Sequence, residues 1–252
     1  MITSNLENKT AYVTGGARGI GKTVALGLAR NGADVAIVDI DLETASRVSD
    51  EIKAMGRRSM AISCDVTSAD DVQAMVDRII IEWGKLDIAF NNAGICINVA
   101  AEEMTPAQWK KVIDINLTGV FFTSQAAGKV MIKQKSGVII NTASMSGHIV
   151  NVPQPQSAYN ASKAAVILLT KSLAVEWAPH HVRVNSLSPG YIATEMTLSA
   201  PEEWKSRWLE MSPAGRMGNP EELVSAVLYL ADDSASFTTG TDLVVDGGFT
   251  SI

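Results

Sequence analysis

The sequence is poor in the residues that build disulfide frameworks and metal centres. It has two cysteines, Cys64 and Cys96, and three histidines, of which His180 and His181 are adjacent. Two cysteines cannot form a disulfide framework, so we interpret them as reduced thiols. No cluster of Cys, His and carboxylate residues has the spacing of metal ligands, and we therefore expect no metal site.

Charge is also scarce, and positive charge is not clustered. Charged residues make up 19% of the chain, and the formal net charge of −6 argues against nucleic acid or an anionic membrane as a partner. There is no run of about 18 apolar residues to span a bilayer and no charged-then-apolar leader, so we expect a cytoplasmic protein. The 46% hydrophobic content predicts a globular protein with a large core. A Gly-x-Ser-x-Gly motif is lacking, which leaves hydrolase chemistry without support.

Short segments rich in Val and Ile alternate with longer amphipathic segments along the whole chain. The predicted strands are 10–14, 34–39, 60–64, 87–90, 137–141, 182–187 and 242–245. The predicted helices are 19–31, 42–55, 69–83, 106–133, 157–177 and 220–231. This alternation predicts an α/β fold: a doubly wound (Rossmann) parallel sheet with helices on both faces. Without a linker or repeat, residues 1–252 form a single predicted domain; only 144–156 and 191–218 do not follow the pattern.

A glycine-rich turn follows the first predicted strand and opens a helix. It has the sequence T-G-G-A-R-G-I-G over residues 14–21. Glycines at these positions let backbone N–H groups approach a pyrophosphate at the positive end of the helix. Asp39 ends the next predicted strand, where its carboxylate can accept hydrogen bonds from an adenosine ribose. Together, the turn and Asp39 predict a dinucleotide site.

The charges near Asp39 indicate which dinucleotide is bound. A 2′-phosphate beside Asp39 would meet a like charge, and Asp41 follows closely. Arg18, in the glycine-rich turn, has the opposite effect because it could reach such a phosphate. Two acids against one flexible base favour NAD over NADP.

Tyr159 and Lys163 form a candidate acid–base pair. If 157–178 is helical, the two side chains lie at positions i and i+4 on one helix face. The unperturbed pKa of a phenol is about 10, and an adjacent ammonium would favour the phenolate. The alternative is a surface tyrosine and a solvated lysine that happen to share a face.

The motifs, taken in order, resemble those of the short-chain dehydrogenase/reductase family over essentially the whole chain. They are the turn at 14–21, N-N-A-G at 91–94, N-T-A-S at 141–144, Y-N-A-S-K at 159–163 and P-G at 189–190. The resemblance implies a catalytic tetrad of Asn116, Ser144, Tyr159 and Lys163. In it, Tyr159 is the general acid or base, Lys163 lowers its pKa and holds the nicotinamide ribose, Ser144 contacts the substrate oxygen, and Asn116 anchors a proton-relay water.

The same resemblance implies a set of dinucleotide contacts spread along the chain. We expect the cofactor to be bound by Gly15, Arg18, Gly19, Ile20, Gly21, Asp39, Asp65, Val66, Asn91, Ala93, Gly94, Tyr159, Lys163, Pro189, Gly190, Ile192 and Thr194. A non-catalytic dinucleotide sensor would share many of these residues, but it would not need Tyr159 and Lys163.

Residues 144–156 depart from the family pattern, because the spacing from Ser144 to Tyr159 is longer than is common there. The extra length falls in 148–156, whose amide and imidazole groups suit a polyhydroxylated substrate and resemble those of polyol dehydrogenases and ketose reductases. An exposed polar loop is the alternative. Ser146 competes with Ser144 for the catalytic position. We expect substrate contacts from Ser146, His148, Asn151, Gln154 and Tyr191.

The sequence therefore predicts an NAD-dependent enzyme that interconverts a secondary alcohol and a ketone, most simply a polyol and a ketose. A 3-oxoacyl thioester reductase or a hydroxysteroid or diketone reductase is the alternative. Trp204, Trp208 and Met211 stand at helical spacing within 191–218, which suggests the apolar underside of a lid. The family resemblance also implies a homotetramer.

Overall fold

The computed structural model describes residues 5–252, and its strands form one parallel sheet of seven strands. The strands are β1 Thr10–Thr14, β2 Asp34–Asp39, β3 Ser59–Ser63, β4 Ile88–Asn91, β5 Gly137–Thr142, β6 Val182–Pro189 and β7 Asp242–Val245. Their order across the sheet is β3-β2-β1-β4-β5-β6-β7. The order reverses between β1 and β4, which opens a crevice at the carboxyl ends of the strands. The predicted fold class is confirmed.

Helices cover both faces of the sheet. Within residues 5–252 they are α1 Gly19–Arg30, α2 Leu42–Ala54, α3 Ala69–Trp83, α4 Pro106–Ile113, α5 Gly119–Gln134, α6 Ser157–Trp177, α7 Glu195–Leu198, α8 Glu202–Met211 and α9 Val224–Ala231. Side chains begin several of them: Asp41 caps α2, Ser68 caps α3 and Thr105 forms a capping box with Gln108 at α4.

The core is divided between the two faces of the sheet. Alternate residues of a strand point to opposite faces, so Val13 and Ile37 belong to one cluster while Tyr12 and Val38 belong to the other. The first cluster is closed by α1, α2 and α9, and the second by α3, α5 and α6. Burial on both faces explains why the strands are almost continuously apolar.

The predicted helix over 106–133 is wrong in its middle. α4 ends at Ile113, a π-helical turn spans Asp114–Thr118, and α5 begins at Gly119. The amide of Asn116 lies in this turn and bonds to the backbone of Ile95 twice, accepting from its N–H and donating to its carbonyl, both at 2.9 Å. A contact between residues so far apart in sequence leaves no mark on helical periodicity.

Other predicted boundaries are off by one or two residues. The strands predicted at 60–64 and 87–90 are Ser59–Ser63 and Ile88–Asn91, and the helix predicted from 220 begins as a 3-10 turn at Pro220–Leu223. The irregular segment 191–218 contains the two helices α7 and α8. Among the helices of residues 5–252, none combines the length and apolar character needed to cross a membrane.

Candidate active site

The glycine-rich turn leaves the N-terminus of α1 open. Gly15 has φ +61°, and a Cβ on Gly21 would lie 2.1 Å from the carbonyl oxygen of Gly15, so neither position tolerates a side chain. Arg18 precedes α1 without capping it, and the first turn of the helix holds no acid. The first N–H groups of α1 therefore lack side-chain partners, which is the arrangement that binds a phosphate or pyrophosphate.

Thr14 and Asn92 hold this turn in place; both lie within the predicted motifs, but neither had been assigned a contact of its own. The Thr14 hydroxyl accepts from the backbone N–H groups of Asn92 (2.9 Å) and Ala93 (3.1 Å). The Asn92 amide donates to the carbonyls of Thr14 and Gly15 at 3.2 and 3.3 Å. The turn after β1 and the loop after β4 are thus fastened together across the crevice.

Asp39 and Asp41 occupy the carboxyl end of β2. The Asp39 carboxylate accepts from the backbone N–H groups of Ala17 and Asp41, each at 3.1 Å. Asp41 accepts from the Thr44 N–H at the start of α2 and, at 2.5 Å, from the guanidinium of Arg18. These bonds lower the pKa of Asp41 to about 2, with the Thr44 N–H as the first cause. Arg18 is therefore held beside a carboxylate.

The expected adenine and ribose contacts differ in what their side chains do. Asp65 accepts from the Thr67 N–H and hydroxyl and shapes the turn before α3, while Val66 packs against Gly119. The Asn91 amide is buried and donates to Ser124 and Asn141, both at 2.9 Å. Its side chain thus joins β4 to β5 and α5 and does not take part in an open contact with a ligand.

Gly94, Ile192 and Thr194 close the crevice from two sides. A Cβ on Gly94 would lie 3.3 Å from Asn116 Oδ1 and 3.6 Å from Lys163 Nζ. Thr194 begins α7, and a Cβ on Gly19 would lie 3.5 Å from its methyl group. Ile192 is buried in the core cluster that α1 covers. Pro189 ends β6, and the segment that follows it from Gly190 is therefore adjacent to the glycine-rich turn.

Ser144, Tyr159 and Lys163 meet at the floor of the crevice. The Ser144 hydroxyl hydrogen bonds the Tyr159 phenol and accepts from the Ser146 N–H at 3.1 Å. Lys163 Nζ is 5.6 Å from the centre of the Tyr159 ring and donates to the Thr142 carbonyl at 2.7 Å. Asn116 lies behind them and donates to Ser162 at 3.1 Å.

Desolvation shifts both ionisable members of this group. It raises the pKa of Tyr159 to about 12, against the lowering effect of the Ser144 hydrogen bond. It lowers the pKa of Lys163 to about 8. The Cys96 thiol lies close enough to influence both groups, and its own pKa is raised to about 11 by burial. From the sequence, Cys96 could be interpreted only as a reduced thiol, because no motif includes it.

Residues 148–156 fold into a wall of hydrogen-bonded polar groups. Asn151, Gln154 and Gln156 are 3%, 5% and 8% exposed, so this segment is not the solvated loop that the sequence left open. Gln156 donates to Ser146 at 3.2 Å and to Asn151 at 3.1 Å. Ser146 therefore faces this wall and not Tyr159. Its polar composition was visible in the sequence, but its burial was not.

His148 and Tyr191 lie at opposite ends of the wall. His148 Nε2 is 2.7 Å from Asp242, whose carboxylate also accepts from Ser186 and Ser188, so the imidazole ties the wall to β6 and β7. The Tyr191 hydroxyl accepts from Asn151 at 3.1 Å and from Gln154 at 2.8 Å. Both expected substrate residues are therefore already engaged with neighbouring side chains.

Comparison with known proteins agrees with this geometry. A family model described as enoyl-(acyl carrier protein) reductase matches residues 15–250. The chain is 44% identical to a Yarrowia lipolytica protein named "Probable NADP-dependent mannitol dehydrogenase", over 97% of this chain and 88% of that one. It is 43% identical to a sorbose reductase of Candida albicans, over 98% and 88% of the two chains. The chain belongs to the short-chain dehydrogenase/reductase family.

The backbone fold is also similar to that of a solved structure of this family. A short-chain type dehydrogenase/reductase from Mycobacterium marinum superposes with a TM-score of 0.95 at 47% identity, and the match covers 98% of each chain. The family uses nicotinamide dinucleotides and interconverts alcohols and ketones, so this chain is an oxidoreductase of that type. The open glycine turn and the Tyr159 cluster fit such a cofactor.

Proposed function

We propose that this protein is an NAD(H)-dependent oxidoreductase that interconverts a polyol and a ketose. The observation that carries the proposal is the wall of buried amides at 148–156 beside Tyr159, together with the Ser146 and Tyr191 hydroxyls that it contacts. A substrate with several hydroxyl groups can satisfy such a wall, whereas an acyl chain or a steroid needs an apolar one. The relatives named mannitol dehydrogenase and sorbose reductase support this substrate class.

The proposed chemistry assigns one task to each member of the tetrad. In alcohol oxidation Tyr159 accepts the hydroxyl proton as the C–H bond breaks, and in ketone reduction it returns that proton. In the free enzyme the single hydroxyl hydrogen of Ser144 bonds Tyr159, and with substrate bound it is donated to the substrate oxygen instead. Lys163 supplies positive charge beside Tyr159, and Asn116 keeps the loop after β4 against α6 and anchors the relay water. The bound nicotinamide supplies hydride transfer.

NAD is the proposed cofactor, with the contacts that the sequence analysis assigned to it. Arg18 is the basic residue of the glycine-rich turn, and Asp41 already engages it. A 2′-phosphate would thus meet Asp39 without a free cation from the turn, which costs affinity. The Yarrowia relative is named as NADP-dependent, so the charge arrangement around Asp39 is the feature that would separate this chain from it.

We assign substrate recognition to Ser146, His148, Asn151, Gln154 and Tyr191, and the role of a lid to 191–218. Trp208 is 4% exposed and stacks on Tyr191, which attaches the lid to the substrate wall. The proposal also includes a single catalytic domain, a cytoplasmic location and a homotetramer. Exposed apolar residues on α4, α5 and α6, namely Trp109, Phe121, Leu168 and Val175, support assembly through these helices.

A substrate and cofactor panel tests the proposal. The wild type is assayed with NAD and NADP against sugar alcohols, cyclohexanol, a hydroxysteroid and a β-hydroxyacyl thioester. We expect the highest kcat/KM with a sugar alcohol and NAD, and a loss of about a hundredfold or more in turnover for Tyr159→Phe with unchanged NAD affinity. Preference for NADP would contradict the assignment of Asp39, and preference for the thioester would contradict the polyol assignment.

A further inference from the structure

A chain of hydrogen bonds runs from the lid to the substrate wall. The indole N–H of Trp208 on α8 donates to the side-chain oxygen of Gln154 at 2.9 Å. The Gln154 nitrogen donates to the Tyr191 hydroxyl oxygen at 2.8 Å. The three residues come from different parts of the chain, and Gln154 and Trp208 are almost fully buried.

Trp208 fixes which group is the donor and which the acceptor in these hydrogen bonds. An indole N–H can only donate, so the Gln154 atom that faces Trp208 has to be the carbonyl oxygen. The Gln154 nitrogen then has to face Tyr191, whose oxygen accepts the bond. Asn151 donates to the same oxygen at 3.1 Å. With two amide donors on its oxygen, the Tyr191 hydroxyl keeps its own hydrogen for a partner outside the wall.

Aromatic packing keeps Tyr191 at the active site. Its ring is stacked on Trp208, with ring centres 4.1 Å apart and planes at 12°, and the edge contact with Phe249 is 5.4 Å between centres. Tyr191 is close enough to Tyr159 to contribute to the raised pKa of that phenol. Four successive hydrogen bonds, through Asn151, Gln156 and Ser146, also connect the Tyr191 hydroxyl with Ser144 of the tetrad.

We propose that Trp208 and Gln154 are positioning residues that make Tyr191 an obligate hydrogen-bond donor to a second oxygen of the substrate, beside the carbon that is oxidised. This inference rests on the proposed polyol function, since a monohydric alcohol has no second oxygen to accept the bond. Recognition of that oxygen then also requires α8 to be packed against the wall, because Trp208 on α8 fixes the orientation of the Gln154 amide.

The substitution Gln154→Glu tests the direction without changing the size of the side chain. A carboxylate accepts from Trp208 and from the Tyr191 hydroxyl, so Tyr191 would turn its hydrogen towards the wall. We expect kcat/KM for a sugar alcohol to fall by about tenfold or more, mainly through KM, which is the scale of one lost hydrogen bond with an acceptor left unpaired. Cyclohexanol has no second oxygen, so its kcat/KM should fall less, and the ratio of the two values should change by about tenfold in favour of cyclohexanol. Tyr191→Phe, which keeps the ring stack, should give the same selective loss.

Asn5→Asp makes the same amide-to-carboxylate change at an exposed residue before β1, away from the site and from the proposed subunit contact, and serves as the control. If Gln154 has a purely structural role, Gln154→Glu lowers the activity on both alcohols equally, and the proposal is overturned. Wild-type selectivity in both Gln154→Glu and Tyr191→Phe would also overturn it. If the wild type oxidises cyclohexanol but no polyol, both the proposed function and the proposed role of Tyr191 as a donor are wrong. If the wild type oxidises polyols and Gln154→Glu does so equally well, only the role of Tyr191 as a donor is wrong.

Discussion

Burial is the main influence on the ionisable side chains of the active site. It raises the pKa of Tyr159 to about 12 and lowers that of Lys163 to about 8, so it opposes the charged form of each. The family resemblance implied that Lys163 lowers the pKa of Tyr159. In the structure the Lys163 ammonium is bonded to the Thr142 carbonyl, and the group that lowers the pKa of Tyr159 is the Ser144 hydroxyl.

The substitution Ser144→Ala should therefore move the pH profile of alcohol oxidation. Oxidation needs the Tyr159 phenolate, and the Ser144 hydrogen bond favours that form, so its loss raises the pKa of Tyr159 further. The rise of kcat/KM with pH should shift to higher pH, together with a loss in rate. Ser146→Ala is the matched control, because its hydroxyl accepts from Gln156. A shift in the Ser146 variant alone would transfer the catalytic assignment to that residue.

The substitution Asp41→Asn should improve NADP binding. Asparagine still caps α2, but it no longer holds the Arg18 guanidinium by charge, and a freed Arg18 can pair with a 2′-phosphate. We expect the ratio of the NADP and NAD dissociation constants to change by about tenfold in favour of NADP, measured by calorimetry. Glu43→Gln removes the same charge from the same helix and should leave the ratio unchanged. Equal ratios in all three proteins would show that Arg18 plays no part.

At the scale of elements, the glycine-rich turn shows how steric limits create a binding site. The carbonyl of Gly15 occupies the space that a side chain on Gly21 would need, while the Asn92 amide closes the turn from the other side. No side chain is left to cap α1, and the open N–H groups follow from that.

Replacing Gly21 by alanine should disrupt this turn. A Cβ 2.1 Å from a backbone oxygen forces the turn apart, so NAD affinity should fall by about tenfold or more in a direct binding titration. Gly56→Ala is the control, since a Cβ there meets nothing within 4 Å; its cost comes from the positive φ of Gly56, which Gly21 does not share. The control should lose about 1 kcal/mol of stability and keep its NAD affinity. Unchanged binding in the Gly21 variant would place the pyrophosphate elsewhere.

At the scale of the whole molecule, the sheet separates two kinds of surface. The carboxyl ends of its strands carry the crevice, while α5 and α6 on one side expose apolar residues such as Phe121 and Leu168. Leu168 is 67% exposed and Val175 is 78% exposed on the same helix, which is costly unless another copy covers them.

The substitution Leu168→Arg should weaken assembly if α6 lies in a subunit contact. Desolvating a charge in the centre of an apolar interface is costly, so the molar mass from light scattering should fall below that of the wild type, for which we propose a tetramer. Ile81→Arg places the same charge on α3, at a residue that is 81% exposed, and should keep the wild-type mass. A monomeric wild type, or a tetramer in both variants, would contradict the proposed contact.

The sequence by itself determined the features that depend on local chemistry. The apolar periods located every strand within two residues at either end, since a buried parallel strand must be apolar on both faces. Glycine at positions 15 and 21 marked the turn because the backbone there has no room for a side chain. The roles of Asp39, Tyr159 and Lys163 were predicted from their positions relative to the predicted strands and helices.

Only the tertiary structure decided what depends on contacts between distant residues. The π-helical turn at Asn116 forms where that amide bonds to Ile95. In the wall at 148–156, the Gln154 amide is buried where it bonds to Tyr191 and Trp208. The periodicity of the sequence shows which residues are apolar, but it does not show which polar atoms form contacts in the fold. The pairing of Arg18 with Asp41 and the direction of the Trp208–Gln154–Tyr191 chain are therefore properties of the fold.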